Sequence, residues 1–234
     1  MPKKNKGHIY EDKIYNLCSE NGLIDSSTTK NAGYANNLPD IVLNLKGKKV
    51  PVEIKLDAKA RFGGTSISYE NKTFSIFNSK IFTSPDTITN HFYDNEQSYI
   101  EAMSFFGIEK FPGVTEKSRW QEAVKQGLLK SARVKFNYDR DIINRYYLSK
   151  GVNYIQCGSL GLYHLQNDYM SLGTSFFRPD IFVEGELSRN GSKLNKEGKR
   201  ICTVSIRITA RARNISKSNV DLEDLTFIDK LKGL

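Results

Sequence analysis

The stretch LPDIVLNLKGKKVPVEIKLD, residues 38–57, is patterned as a buried β-hairpin, yet it carries ionisable side chains where apolar ones would pack. Two apolar-rich runs, 40–45 and 50–56, flank LKGKK, which has the glycine and polar residues of a tight turn. Ile41, Leu43, Leu45, Val50, Val52, Ile54 and Leu56 supply the apolar part. Side chains on a strand alternate between faces, so Glu53 and Lys55 point one way and Ile54 the other. The turn around residues 46–49 sets Asp40 against Glu53 or Lys55. Directly opposed residues share a face, with ~4.5–5.5 Å between Cβ atoms. Two acids and an amine therefore converge on one small patch.

Two carboxylates that close repel each other, and neither ionises comfortably without a compensating charge. A divalent cation supplies that charge, and hard oxygen ligands suit Mg²⁺. Lys55 beside them can hold an attacking water and stabilise charge on phosphoryl oxygens. The plainer alternative is a surface hairpin whose Asp40, Glu53 and Lys55 form a salt-bridged solvent face.

Pro39-Asp40, twelve intervening residues and then Glu53-Ile54-Lys55 resemble the motif of the PD-(D/E)xK nuclease superfamily. The resemblance implies a restriction-endonuclease-like α/β fold, a mixed β-sheet core flanked by helices. It also implies Mg²⁺-dependent hydrolysis of DNA, with Mn²⁺ able to substitute. Asp40 and Glu53 would be metal ligands, the Ile54 carbonyl a further one, and Lys55 the catalytic lysine. Relatives often place a glutamate on the helix before the hairpin, and Glu11 matches that pattern. On a helical wheel Glu11 lies beside Ile14 and Cys18, at the margin of the apolar face. Its competing role is an ordinary ion pair on the helix surface. Exonuclease-type relatives carry Gln-x-x-x-Tyr after the lysine. None of Gln97, Gln121, Gln126, Gln156 or Gln166 has tyrosine four positions on, which favours an endonuclease.

Around the hairpin, Gly7 to Asn21 reads as a helix burying Ile9, Tyr10, Ile14, Leu17 and Cys18 and ending at Asn21-Gly22. SSTTKNAGYANN reads as a loop. From Ala58 to about Asn90 the signal is weak, with strand-like alternation after Gly63-Gly64. Ser98–Phe106 and Lys117–Ser131 are expected helices, separated by Phe111-Pro112-Gly113. A further helix is expected at Asp139–Lys150, then a strand, a glycine turn and a short strand within VNYIQCGSLGLYHL. SFFRPDIFVEGEL and RICTVSIRITARARN read as strands around a hairpin loop, SRNGSKLNKEGK. The tail DLEDLTFIDKLK suits a closing helix. The expected organisation is a single domain over 1–234. Its catalytic core is 7–60 with 139–170, its helical insertion about 61–138, and its strand-rich C-terminal part 171–234.

The 234-residue chain has 35 Lys and Arg against 26 Asp and Glu, a formal charge of +9. That excess favours a polyanionic partner, here DNA and preferably duplex. Lys59 and Arg61, just after the catalytic strand, are placed to steer the scissile phosphate. Gln156, alternating with Tyr154, can reach the site or a base edge, or satisfy a neighbouring backbone group. Arg207, Arg211 and Arg213 alternate out from a strand whose other face is Ile206, Ile208, Ala210 and Ala212, which suits phosphate or guanine contacts. Lys3, Lys4 and Lys6 make a basic terminal arm. A second Pro-Asp, Pro179-Asp180, with Glu184 and Glu186 following, lacks an ExK partner and reads as structural.

The scattered His8, His91 and His164, and the absence of a G-x-S-x-G elbow, argue against histidine-based or serine hydrolase chemistry. Cys18, Cys157 and Cys202 have neither disulfide-framework nor zinc spacing, which fits a reducing, intracellular setting. No secretory signal or membrane span is read, and no organic cofactor is expected. Paired cuts on a duplex would suit a two-fold homodimer. The alternative functions are a nucleic-acid-binding protein that keeps the fold without turnover, and a basic structural protein.

Overall fold

The computed structural model describes residues 5–26, 28, 38–70, 73–76, 104–108, 114–130, 132–136 and 141–234. In chain order the elements are α1 (Lys6–Glu20), β1 (Ile41–Leu45), β2 (Lys48–Lys55), β3 (Gly64–Glu70), β4 (Thr73–Ile76), β5 (Val114–Glu116), α2 (Lys117–Lys125), β6 (Arg133–Phe136), α3 (Ile142–Ser149), β7 (Tyr154–Cys157), β8 (Leu162–His164), β9 (Ser175–Phe176), β10 (Asp180–Leu194), β11 (Arg200–Arg213) and α4 (Leu225–Lys232). The protein is mixed α/β. Contacts divide it into two compact units. One is Met1–Phe62 with Asp139–Ile181 and Arg211–Leu234; the other is Gly63–Tyr138 with Phe182–Ala210. The expected C-terminal part is thus shared between the two.

The first unit is built on a five-stranded sheet in the order β1-β2-β7-β8-β9. β1 and β2 are antiparallel, β2 and β7 parallel, β7 and β8 antiparallel, and β8 and β9 parallel. The first hairpin closes through Leu45 and Lys48, so only Lys46 and Gly47 form its loop. Both have positive φ, 53° and 70°. Those are the dihedrals of a two-residue type I′ turn, whose twist matches that of the strands. Because the loop is this short, β2 begins at Lys48, two residues before the expected strand. Ile41, Leu43, Leu45, Val50, Val52 and Ile54 face a core that also holds Tyr10, Ile14 and Cys18 of α1 and Phe227, Ile228 and Leu231 of α4. Each such burial contributes roughly 1.5–3 kcal/mol.

α1 starts where the Asn5 side chain accepts from the His8 amide at 3.0 Å, an N-cap. α3 is shorter than Asp139–Lys150; it runs Ile142–Ser149 and buries Ile142, Ile143, Asn144 and Tyr147. Residues 139 and 140 lie outside the described residues. After β7 the chain makes a 3-10 turn at Gly158–Leu160. Gly158 has φ +48°, and a Cβ there would lie 2.2 Å from the Leu56 carbonyl oxygen. Only glycine permits that approach, which pins the end of β7 against the end of β2.

The second unit carries a six-stranded sheet, β4-β3-β11-β10-β6, with β5 on β11. The weak signal after Ala58 resolves into β3 and β4. α2 ends at Lys125, well before Ser131, because Gln126-Gly127 makes a turn, Gly127 donating to the Val124 carbonyl at 3.1 Å. The sequence SRNGSKLNKEGK is not a loop throughout: β10 continues to Leu194, and only Asn195–Lys199 turns. The expected helix at Ser98–Phe106 and the breaker 111–113 fall mostly outside the described residues, as do Lys3 and Lys4. No helix of the described residues is long and apolar enough to cross a membrane. All three cysteines are buried and unbridged.

Candidate active site

The pairing Ile41↔Val52 makes Glu53, rather than Lys55, the neighbour of Asp40 across the hairpin. β1 ends its ladder there, and the Asp40 side chain takes over. Its Oδ2 accepts from the Ile54 amide at 2.7 Å. A strand residue's N–H and C=O face the same edge, so the Ile54 carbonyl is directed to the edge that Asp40 occupies. The Ile54 side chain is buried in the core, on the opposite face from Glu53 and Lys55.

Lys55 Nζ donates to Glu53 Oε1 at 2.5 Å, and the two side chains are only 15% and 7% exposed. Glu53 Oε2 is buried and has no hydrogen-bond partner among the described residues. A buried carboxylate oxygen without a donor costs free energy that a protein rarely tolerates. Burial, reinforced by the charge of Glu53, pushes the Asp40 carboxyl up to about 7 despite Lys55 and the Ile54 hydrogen bond; Glu11 adds to the repulsion. Burial alone would pull the Lys55 ammonium down, but Glu53, Tyr147 and Asp40 together hold it well above the usual lysine range. Lys55 is therefore a fixed cation and not a proton acceptor. Among the described residues one lysine is shared by two acids, which leaves them short of positive charge.

Those features fit a hard divalent ion. Asp40, Glu53 Oε2 and the Ile54 carbonyl are oxygen donors of the kind Mg²⁺ takes, and Mg²⁺ commonly completes its shell with water or phosphate oxygens. Among the described residues no three His, Cys, Asp or Glu side chains form a complete cage. The expected participation of Glu11 is corrected accordingly. Its Oε2 lies 3.0 Å from His8 Nδ1 on the partly exposed face of α1, and it does not join Asp40 and Glu53 in a cluster. Its remaining influence is electrostatic.

Tyr147 was not legible as a site residue. α3 buries it completely, with its ring centroid 5.6 Å from Lys55 Nζ and 5.5 Å from Lys150 Nζ. Burial, with Glu53 and Asp40 adding to it against the opposing pull of Lys55, raises its phenol far above the tyrosine range, so it stays neutral. A ring between two ammonium groups restricts where Lys55 can sit. The only signal in the sequence was Tyr146-Tyr147 ahead of Lys150 on an amphipathic helix.

Gln156 requires the plainest correction. It pairs with Ile54 across β2 and β7, so it shares the face of Ile54 and lies opposite Glu53 and Lys55. It is fully buried. Its amide donates to the Asp221 carboxylate at 2.6 Å, the Gly158 carbonyl at 2.7 Å and the Tyr10 hydroxyl at 3.4 Å, while its carbonyl accepts from Leu222 N. It ties the C-terminal segment to α1 and β7 and has nothing left for a nucleic acid.

Lys59 and Arg61 are exposed just beyond β2. Lys59 N donates to Asp57 Oδ1 at 2.7 Å, which fixes that bend. The three arginines of β11 do not form one free ribbon. Arg207 is engaged by Glu186 at 3.1 Å, and Arg211 donates to the Lys59 carbonyl at 2.8 Å; Arg213 is exposed. Pro179-Asp180 leads into β10, where Asp180 accepts from Asn214 at 2.7 Å, and Glu184 and Glu186 pair with Arg133 at 3.9 and 3.3 Å. Comparison of the chain with protein-family models, curated proteins and solved structures returns no match.

Proposed function

We propose that the protein is a Mg²⁺-dependent DNA endonuclease with a restriction-endonuclease-like core, of the PD-(D/E)xK kind. The observation that carries this reading is the pairing of a half-buried Asp40 with a buried Glu53, whose Oε2 is unpartnered among the described residues, beside a cationic Lys55 at the end of two paired strands. A salt-bridged solvent face would leave these groups exposed and hydrated; instead Glu53 is buried, and Asp40 and Lys55 are only partly open to solvent. The mixed sheet order, with the acid-bearing β2 between an antiparallel and a parallel neighbour, agrees with such a core.

Asp40, Glu53 and the Ile54 carbonyl would hold the ion. When bound, the ion would supply charge neutralisation at the phosphoryl group and acidify water. The Lys55 ammonium would donate hydrogen bonds to the attacking water and to a non-bridging phosphate oxygen, where negative charge grows as the water oxygen bonds to phosphorus and the P–O ester bond breaks; the water's proton passes to solvent and the leaving oxygen takes one from solvent. Glu53 Oε1 and the Tyr147 ring keep that ammonium in place. Mn²⁺, with a similar ligand preference, would substitute.

Incubation of supercoiled and linear duplex DNA with the protein and Mg²⁺ tests the reading. Cleavage that is lost in EDTA and in Lys55→Ala is expected. Duplex binding without any cleavage under Mg²⁺ or Mn²⁺ would leave a nucleic-acid-binding protein that keeps the fold without turnover.

A further inference from the structure

β10 outlasts its sheet. Its pairing with β6 ends at Glu186, and among the described residues the remainder, to Leu194, has β11 as its one neighbour. The outer part of the β10–β11 ribbon ends in a turn that is ordered by its own chemistry. Asn195 Oδ1 accepts from Glu197 N at 3.0 Å and Lys199 N at 2.8 Å, and Asn195 N donates to the Lys199 carbonyl at 2.8 Å. Segment 189–200 holds Arg189, Lys193, Lys196, Lys199 and Arg200 against a single acid, Glu197.

Two of these cations are already used. Lys199 lies 3.1 Å from Glu116 and 3.4 Å from Glu197, and Arg189 stacks on Trp120 of α2, 5.3 Å from the ring. Lys193, Lys196 and Arg200 are exposed and have no ion pair among the described residues. Next to them, Glu116 pairs with Ile201, so the first turn of α2 starts at the base of the tip. That turn carries Lys117 and Arg119 and no acid. Cations at a helix N-terminus oppose the helix dipole, so helix stability does not explain them. Glu116 and Glu197 are both engaged by Lys199, so the remaining like charges at the tip exceed the nearby acids and fit an external anion.

We propose that the ribbon tip, through Lys193, Lys196 and Arg200 with Arg119 beside them, docks on the phosphate backbone of duplex DNA. A two-stranded ribbon matches the width of the major groove, and phosphate contacts of this kind position a protein without reading sequence. This replaces the expected row of Arg207, Arg211 and Arg213, whose first two members are engaged elsewhere. It rests on the nuclease reading for the identity of the polyanion.

The test is fluorescence anisotropy of a labelled duplex in EDTA, across potassium chloride of about 50 to 200 mM. It compares the wild-type chain with K193E/K196E/R200E, and with K193Q/K196Q/R200Q should the charge reversal impair folding. Loss of three phosphate contacts flattens the slope of log affinity against log salt by about 2.7, with affinity at low salt down at least ~10-fold. Wild-type affinity and slope in both variants, from a parent that binds and cleaves, overturns the docking surface and leaves the nuclease standing. Polyglutamate competing as well as unlabelled duplex also overturns it. A parent that neither binds duplex nor cleaves it removes the reading beneath the proposal.

Discussion

Two Pro-Asp steps open strands in this protein, and the acids gathered around them come to opposite ends. Asp40 leads into the first hairpin, where it is half-buried beside the buried Glu53 and shares one lysine with it. Asp180 leads into β10, where it is exposed on Asn214, and Glu184 and Glu186 each face an arginine. In the first case the two acids belong to adjacent strands, Asp40 immediately before β1 and Glu53 on β2; in the second all three lie on β10. What differs is compensation: the second set has counter-charges in neighbouring strands, whereas the first has an acceptor oxygen with no donor among the described residues. Local sequence creates an acidic strand, and the neighbouring elements decide whether it is a satisfied face or a cation-seeking one.

The sharpest way to break the comparison is to neutralise each leading acid. Asp40→Asn keeps the side-chain volume and should lower Mg²⁺-dependent cleavage by at least ~10²-fold. Asp180→Asn should stay within about two-fold, as removal of an exposed charge commonly does. Single-turnover rates on plasmid measure both. Equal losses would erase the distinction.

A second effect belongs to the metal-free protein. The Asp40 carboxyl is raised to about 7, so between its ordinary value near 4 and about 7 the folded chain keeps a proton that the unfolded chain releases. Stability in EDTA should therefore fall as pH rises through that window, by up to a few kcal/mol, and level off above it. Urea unfolding as a function of pH reads this directly. Asp40→Asn should abolish that component, and Asp180→Asn should leave it in place.

Gln156 sharpens the comparison from the other face of the same strands. Gln156→Leu leaves the Asp221 carboxylate and the Leu222 amide without their partner, at a cost of about 1–3 kcal/mol in stability. Duplex affinity of the folded fraction should not change. Loss of DNA binding at wild-type stability would return Gln156 to the interface. The smallest effect is expected at the compensated acids: Glu186→Gln, which loses partly exposed pairs with Arg207 and Arg133, should cost under ~1 kcal/mol by thermal or urea unfolding.

The hairpin was legible because its information is local. Alternation put Glu53 and Lys55 on one side and Ile54 on the other, and a glycine turn set Asp40 near them. Glycines at 158 and 161 were likewise readable as a turn. The β10–β11 ribbon was misread as a loop because NGS and KEGK carry turn residues, whereas strand pairing tolerated the first of them and used only the second. Tyr147 lay about ninety residues from the motif with no pattern to link them, and Gln156 could not be assigned to a face without knowing the parallel pairing of β2 and β7.

The chain's own order of residues determined the two strands, the tight turn and which of the motif's side chains share a face, since these follow from a two-residue period and backbone dihedrals acting over a few positions. Only the folded arrangement decided that Glu53 is buried beside a half-buried Asp40, that Tyr147 packs by the lysine, and that Arg207 is paired while Lys193, Lys196 and Arg200 have no ion pair among the described residues. Burial and counter-charge are supplied by partners distant in sequence, and electrostatic free energy depends on distance and dielectric, neither of which a linear pattern contains.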